Sequence, residues 1–271
     1  MAQGADTEKH LALVTGASSG IGRAISRELA RRGHDLFLVS NEKEKLAEAA
    51  AEIEAEFHVK TLHLFCDLAC RNSAQELFDY CTSNNIIVSI LVNNAGIFFF
   101  RDVTNTAPER IETMLNLHVF TPTLLCRFFS EQMILENRRG YILNMASIAA
   151  WMMMPGLTLY NSTKSYVRCF SRAMRNEVYT RGIGITTVCP GAVATGLYNL
   201  PEKYLNLGIR LGIIITPEKL AQKALNKMFK KRAEYIPGGL LNRLFICIIQ
   251  SLPERLIRRI KRYIDQAFSK T

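Results

Sequence analysis

Apolar runs of strand length recur along the chain at 11–15, 35–40, 61–66, 90–93, 140–145 and 184–189, and each is followed by a stretch whose apolar positions repeat with helical spacing. A seventh short run at 233–236 completes the series. The runs are continuously apolar rather than alternating, so both of their faces need cover. That predicts an α/β fold, a doubly wound parallel sheet of about seven strands with helices on both faces. No internal repeat, low-complexity tract or Gly/Ser linker divides the chain. Residues 1–237 therefore read as one domain, and 238–271 as a C-terminal extension packed on that domain, on a partner subunit or on a membrane surface.

With 271 residues, 48% of them apolar and 21% charged, the chain can bury a large core and is not disordered. It contains no run of eighteen uncharged apolar residues, and its N-terminus, MAQGADTEKH, is polar with no apolar signal-peptide core, so neither secretion nor spanning is expected. Seven cysteines form no C-x-x-C pair, the nearest being Cys66 and Cys70, and read as reduced thiols of a cytoplasmic protein.

A net charge of +10 suits nucleic acid, an anionic membrane, or an anionic cofactor or substrate, and location decides between them. From 251 to 271, six Lys or Arg stand against Glu254 and Asp265. There Leu256, Ile260, Ile264 and Phe268 recur every four residues, with Arg258, Arg259, Lys261 and Arg262 between them. Such a helix can lie in a membrane interface, cover a cleft or pack on a subunit, which makes peripheral membrane contact one expectation for it. No recognition-helix motif or aromatic-interleaved basic strand appears, so nucleic acid is not an expected partner.

After the first run comes Thr15-Gly16-Ala17-Ser18-Ser19-Gly20-Ile21-Gly22, which leads straight into a helical pattern. Glycines there allow a tight turn and a close approach of backbone to a pyrophosphate, whose charge is met by amides at a helix N-terminus. A merely structural turn is the alternative. The placement between strand and helix, at the start of a βα alternation, points to a dinucleotide site in a Rossmann-like fold. At the end of the second run, where a carboxylate would bind a ribose 2′-hydroxyl and repel a 2′-phosphate, the chain has Ser40-Asn41. With no acid at that place, and Lys43, Lys45 or Arg23 to supply charge, NADP is the preferred cofactor and NAD the alternative. Those cations also read as an ordinary solvated helix start.

Tyr160 and Lys164 are four apart, on one face if the segment is helical. A phenol, with an ordinary pKa of about 10, is a poor acid–base catalyst near neutrality, and a neighbouring ammonium favours its phenolate. The same spacing also occurs by chance, as a half-buried tyrosine beside a surface lysine. Context adds weight. Ser147 lies thirteen residues before Tyr160, Asn93-Asn94-Ala95-Gly96 follows the fourth run, and Pro190-Gly191 with Thr195 follows the sixth. With the G-x-x-x-G-x-G loop, these parts make the chain resemble the short-chain dehydrogenase/reductase family, closely from Leu11 to Thr195 and thinly beyond.

The resemblance implies an NAD(P)-dependent oxidoreductase passing a hydride between nicotinamide C4 and a carbonyl carbon. Tyr160 is then the proton donor, Lys164 lowers the tyrosine pKa and binds the nicotinamide ribose, Ser147 holds the carbonyl oxygen, and Asn116 orders a relay water. It also implies cofactor contacts from Gly16, Ser18, Ser19, Gly20, Ile21 and Gly22, from Ser40, Asn41, Asp67 and Leu68 at the adenosine end, and from Asn94, Ala95, Gly96, Tyr160, Lys164, Pro190, Gly191, Val193 and Thr195. Structural readings stand beside these: Asp67 as a helix N-cap, Asn93 as a strand-end turn, Asn116 as a core hydrogen-bonding residue. The five histidines have no metal-ligand spacing, and His118 reads as packed or solvated.

Two further stretches, 149–159 and 196–215, are apolar and flank the catalytic positions. Trp151, Met152, Met153, Met154 and Leu157 in the first, and Leu197, Leu200, Leu205, Ile213 and Ile214 in the second, suggest an adaptable greasy cleft, with Phe98, Phe99 and Phe100 as a third wall. The expected substrate pocket is Ser147, Trp151, Met153, Tyr160 and Leu197, and the expected substrate an apolar, lipid-like or sterol-like carbonyl. The resemblance extends to microbial relatives of 3-ketosphinganine and 3-oxoacyl reductases and of hydroxysteroid dehydrogenases, and it implies a homodimer or homotetramer. A non-catalytic dinucleotide-binding regulatory or scaffold protein is the competing reading, against which the intact catalytic quartet speaks.

Overall fold

In a computed structural model, which describes residues 10–195 and 214–268, the runs become β1 (Leu11–Thr15), β2 (Asp35–Ser40), β3 (Thr61–Phe65), β4 (Ile90–Asn93), β5 (Gly140–Met145), β6 (Ile183–Val188) and β7 (Glu234–Tyr235). They form one sheet in the order β3-β2-β1-β4-β5-β6-β7, with every neighbouring pair parallel. The chain winds outward from β1 to β3, then returns to β1's other side at β4. The crevice at the C-terminal ends of β1 and β4 is therefore a topological switch point, where ligands of such sheets bind.

Three strands are shorter than their apolar runs or shifted within them, because single ladder bonds continue past their ends. Cys66 N–H donates to the Ser40 carbonyl at 3.0 Å, Cys189 N–H to Tyr235 at 2.8 Å and Thr187 N–H to Ala233 at 3.0 Å.

Alternate residues of the strands feed two cores. Ala12, Val14, Leu36, Leu38, Ile90 and Val92 pack under helices α1 (Gly20–Arg31), α2 (Lys43–Phe57) and α7 (Pro217–Phe229). Leu13, Phe37, Val39, Leu91 and Ile142 pack under α3 (Ser73–Ser83), α5 (Thr121–Leu135) and α6 (Thr158–Val178). Between α4 (Pro108–Leu115) and α5 lies a π-helical turn, Asn116–Phe120, so Asn116 opens a wide turn rather than sitting inside a regular helix. Pro122, in the first turn of α5, has no N–H to give, and the Thr121 amide reaches back to the Asn116 carbonyl. After β7, α8 (Gly239–Gln250) and α9 (Glu254–Phe268) form the C-terminal extension, and the Lys261 ammonium meets the Asp102 carboxylate at 2.8 Å.

The glycine loop tolerates no added carbon at Gly22, where a Cβ would lie 2.0 Å from the Gly16 carbonyl oxygen and 2.6 Å from Asn94 Nδ2. Since the obstruction is backbone, Gly22→Ala is expected to cost about 3 kcal/mol of stability. The check is a lowered urea midpoint at unchanged slope; an unchanged midpoint would mean that the loop gives way freely.

Candidate active site

The loop is held open by one hydroxyl and one amide side chain. Thr15 Oγ1, at the end of β1, donates to the Val92 carbonyl at 3.2 Å and accepts the N–H groups of Asn94 at 2.9 Å and Ala95 at 3.1 Å. Asn94 Nδ2 returns bonds to the carbonyls of Thr15 at 3.0 Å and Gly16 at 3.3 Å. Gly16 takes φ +64°, and a Cβ on it would sit 2.9 Å from Ala95 Cα. At the start of α1 the Ser19 side chain makes no capping bond and no acid stands in the first turn. The helix thus begins without a side-chain partner for its leading amides, the arrangement that favours an anion. A cavity of about 530 Å³ opens there, lined by Gly16, Ser18, Ser19, Gly20 and Ile21 at this end.

At the β2 end of the same cavity stand Ser40, Asn41, Asp67 and Leu68, together with Glu42 and Lys45. Glu42 was not singled out in the sequence. Ser40 Oγ donates to Ser18 Oγ at 2.9 Å, Ser18 Oγ donates to Glu42 Oε2 at 2.7 Å, and the Glu42 amide closes the ring on Ser40 Oγ at 3.2 Å. The hydrogen bond from Lys45, then that from Ser18, hold the Glu42 carboxyl below its ordinary range. Arg23 is ion-paired with Glu52, and Lys45 with Glu42. Asp67 Oδ1 accepts the Ala69 N–H at 3.1 Å, so it braces a turn while lining the cavity.

The other end holds the acid–base residues. Tyr160 and Lys164 share one face of α6 and are both buried. Lys164 Nζ donates to the Met145 carbonyl at 3.1 Å and lies 5.6 Å from the Tyr160 ring centre. Burial pushes its pKa down to about 8, with Cys189 acting weakly the other way. The Ser147 hydroxyl caps the short turn after β5 by accepting the Ala149 N–H at 3.1 Å, and it donates to the Pro190 carbonyl at 3.4 Å. Gly96, Pro190, Gly191, Val193 and Thr195 complete this end.

His118 is packed, as its sequence context suggested, and it forms part of the wall. Its Nε2 accepts the Ile97 N–H at 3.0 Å, which leaves the proton on Nδ1 for Thr163 Oγ1 at 3.0 Å, and Thr163 donates in turn to the Tyr160 carbonyl at 2.9 Å. Burial, and then the Lys164 charge, hold its pKa well below the ordinary value, so the ring is neutral. A Cβ on Gly96 would come 2.9 Å from His118 Nε2, so the histidine requires that glycine.

Ala95 lines the cavity with Asn94 and Gly96, but four expected members of the site, Gly22, Asn116, Trp151 and Met153, do not line it. Asn116 Nδ2 donates to the Ala69 carbonyl at 3.0 Å, away from the cavity. The wide turn that Asn116 opens borders a void of about 20 Å³ lined by Leu117, His118, Thr121, Asn93, Asn144 and Lys164, which is room for one water. The Trp151 ring lies under the Arg168 guanidinium at 4.1 Å and packs with Val167, and Met153 is 62% exposed; neither lines the cavity. Gly22 acts behind the lining by packing on Gly16. Leu197, Leu200, Leu205 and Ile213 lie outside the described residues. The apolar wall around Tyr160 comes from Ile97, Phe98, Phe99, Met152 and Leu159, with Phe98 edge-on to the tyrosine ring at 5.0 Å.

Residues 10–203 match the family model for short chain dehydrogenases. A very-long-chain 3-oxoacyl-CoA reductase of Anas platyrhynchos is 34% identical over 214 residues, covering 73% of this chain and 67% of that protein. Carbonyl reductase family member 4 of Xenopus tropicalis is 32% identical over 229 residues, covering 84% and 93%. A solved short-chain dehydrogenase from Sphingobium yanoikuyae, in complex with NADPH, superposes with a TM-score of 0.76 at 25% identity, over 90% of this chain and 96% of that one. The chain belongs to the short-chain dehydrogenase family and is an oxidoreductase acting between CH–OH and C=O groups with a nicotinamide dinucleotide.

Proposed function

We propose that the protein interconverts the ketone and secondary alcohol of a long-chain or sterol-like substrate. The observation that carries this reading is Tyr160, buried with Lys164 and Ser147 at one end of the cavity and set against the Phe98–Met152 wall. Relatives named for 3-oxoacyl-CoA and 17-beta-hydroxysteroid substrates support the same class. A nicotinamide dinucleotide, when bound, would supply or accept the hydride. The chain's own residues do the rest. Tyr160 exchanges a proton with the substrate oxygen, the Ser147 hydroxyl orients that oxygen, and the Lys164 ammonium stabilises the phenolate and holds the nicotinamide ribose. A water in the void between the Asn116 turn and Lys164 would return to the lysine the proton that the lysine gives up toward the Tyr160 phenolate, with the Asn116 side chain, bonded to the Ala69 carbonyl, taking no part.

The residues fit a dinucleotide: the uncapped start of α1 for the pyrophosphate, Asp67 and Leu68 for the adenine end, Asn94–Gly96 and Pro190–Thr195 for the nicotinamide end. For the 2′ position, NADP follows from the lack of an acid at Ser40–Asn41. In the folded chain, however, Arg23 and Lys45 are already paired with carboxylates, and Glu42 places its own carboxylate against Ser18. That charge favours a 2′-hydroxyl over a 2′-phosphate, so NAD is the cofactor this geometry supports. A homo-oligomer, the family's habit, would use α6 and the turn leading into α5, where Tyr166 and Phe120 are exposed at 39% and 41%.

Tyr160→Phe keeps the ring and removes the proton. With 3-ketosphinganine, 3-oxoacyl thioesters and keto-steroids as the panel, it is expected to lower turnover at least about a hundredfold while dinucleotide binding is retained. Retained turnover would remove Tyr160 from the reaction, and activity confined to small aldehydes would overturn the apolar substrate. Glu42→Ser is expected to raise kcat/KM for NADPH relative to NADH about tenfold, because one like-charge contact of a little over 1 kcal/mol is removed; an unchanged ratio would place the 2′ group elsewhere.

The buried Lys164 has a folded pKa of about 8 against an ordinary 10.5. Between these values the unfolded chain binds the extra proton, so this group's contribution to stability rises with pH across that window. Wild type is thus expected to gain melting temperature relative to Lys164→Met as pH rises above about 8. A flat difference would mean a solvated ammonium.

A further inference from the structure

Outside the active site, the described residue types gather most conspicuously at the β7 edge of the sheet. β7 pairs with β6 on one side, and its other side faces a cleft of about 940 Å³ between α7, β7 and the start of α8. Five cations line it: Lys223, Lys227, Lys230, Arg232 and Arg243, all exposed. Glu234, the acid in the lining, is spent on Arg168, whose Nε lies 2.8 Å from its carboxylate. Lys223 and Lys227, one turn apart on α7, and Lys230, which follows its last residue, set three like charges along one side of the cleft.

The apolar half of the surface continues from the same cleft. α8 is anchored inward by Ile246, 6% exposed, and by Asn242 Nδ2 on the Pro237 carbonyl at 2.6 Å. Just after Arg243 it turns Leu244, Phe245 and Ile248 to solvent, at 57%, 42% and 52% exposure. Side chains at i, i+1 and i+4 form one patch. Beyond it, α9 adds exposed Arg255, Arg258, Arg259 and Arg262. Its Lys261 rests on Asp102, in the segment that follows the Phe98–Phe100 wall.

From this juxtaposition of a cationic cleft and an outward apolar helix face, we infer that the α7–β7–α8 edge is a docking surface for an anionic phospholipid bilayer. Cations over headgroup phosphates, beside apolar side chains entering the acyl boundary, are what interfacial binding requires. No helix among the described residues is long and apolar enough to cross a membrane. A second copy of the chain fits the surface poorly, because a two-fold contact sets the same lysines against one another. A soluble phosphorylated ligand would use the cleft and leave Leu244, Phe245 and Ile248 in water. The inference rests on the proposed apolar substrate only for its purpose, since such a substrate resides in the same bilayer.

The test is cosedimentation of the purified full chain with phosphatidylcholine vesicles, with and without phosphatidylglycerol. Wild type is expected to pellet with the anionic vesicles and to be released by raised salt. Each cation near an anionic surface is worth about fivefold in partitioning, so Lys223→Gln/Lys227→Gln/Lys230→Gln should weaken binding roughly a hundredfold. Leu244→Ser/Phe245→Ser/Ile248→Ser should also lose it. Both variants should keep the wild-type melting temperature and the wild-type turnover of a water-soluble ketone, which separates failure of docking from failure of the catalytic reading. Binding equal to wild type in either variant, equal pelleting with neutral vesicles, displacement by inorganic phosphate, or loss of a dimer in the variants on size exclusion would each overturn it.

Discussion

Thr15 stands where β1 hands the chain to the glycine loop, and its hydroxyl serves three backbone groups at once: the Val92 carbonyl and the amides of Asn94 and Ala95. All three belong to β4 and the turn after it, so the hydroxyl ties β1 to the strand at which the sheet reverses its winding. A hydroxyl offers one donor and two acceptor positions, and all three are used here. Without it, two partly buried N–H groups would lose their partner at about 1–3 kcal/mol apiece. Asn94 completes the clamp from the other side by bonding the loop's own carbonyls. The two turns are thereby held so close that glycine is obligatory at Gly16 and Gly22, and the crevice keeps its shape before any ligand enters.

The second constraint is a buried ammonium. Lys164 gives up solvation for one carbonyl bond and a place beside the Tyr160 ring, and its lowered pKa records that the exchange is unfavourable to the charged form. The surroundings limit the damage. His118, which shares both the cavity and the void beneath it, is kept neutral by burial and then by the Lys164 charge, so it adds no second positive charge. Asn93, Asn144 and Ser171 join in series at 2.8 Å steps to brace β4, β5 and α6 behind the site. That network fixes the helix carrying the Tyr-Lys pair to the strand that ends at Met145, whose carbonyl receives the lysine.

These constraints explain what could be read in the sequence. Burial on both faces makes the strands continuous apolar runs, so their order and number were legible, while 61–66, 184–189 and 233–236 misstate ends at which one ladder bond continues alone. Tyr160 and Lys164 were legible because helix spacing sets them on one face, whereas Ser147 was singled out by the family resemblance. The wide turn at Asn116 was not legible, since the apolar periodicity runs through it and Pro122 is its one local signal. Trp151 and Met153 show that apolar character says nothing about direction: Trp151 turns toward Arg168, a partner supplied one turn beyond Lys164 on the same helix. Glu42 had a signal in its distance of twenty residues from Gly22, but inspection of the two residues closing β2 passed over it.

Glu42 also shows how a binding site can be prepared by charges that cancel within the free protein. Its carboxylate is held by Ser18 and Lys45 at once, so the Glu42–Lys45 pair brings neither a free anion nor a free cation to the adenosine end. A 2′-hydroxyl can join that ring by exchanging one neutral hydrogen bond for another. A 2′-phosphate must compete with the carboxylate for Lys45 and leave Glu42 facing like charge. Selectivity here would thus come less from attraction to one cofactor than from the rearrangement the other demands. A specificity of that kind would depend on repulsion and on the position of one carboxylate relative to the glycine loop.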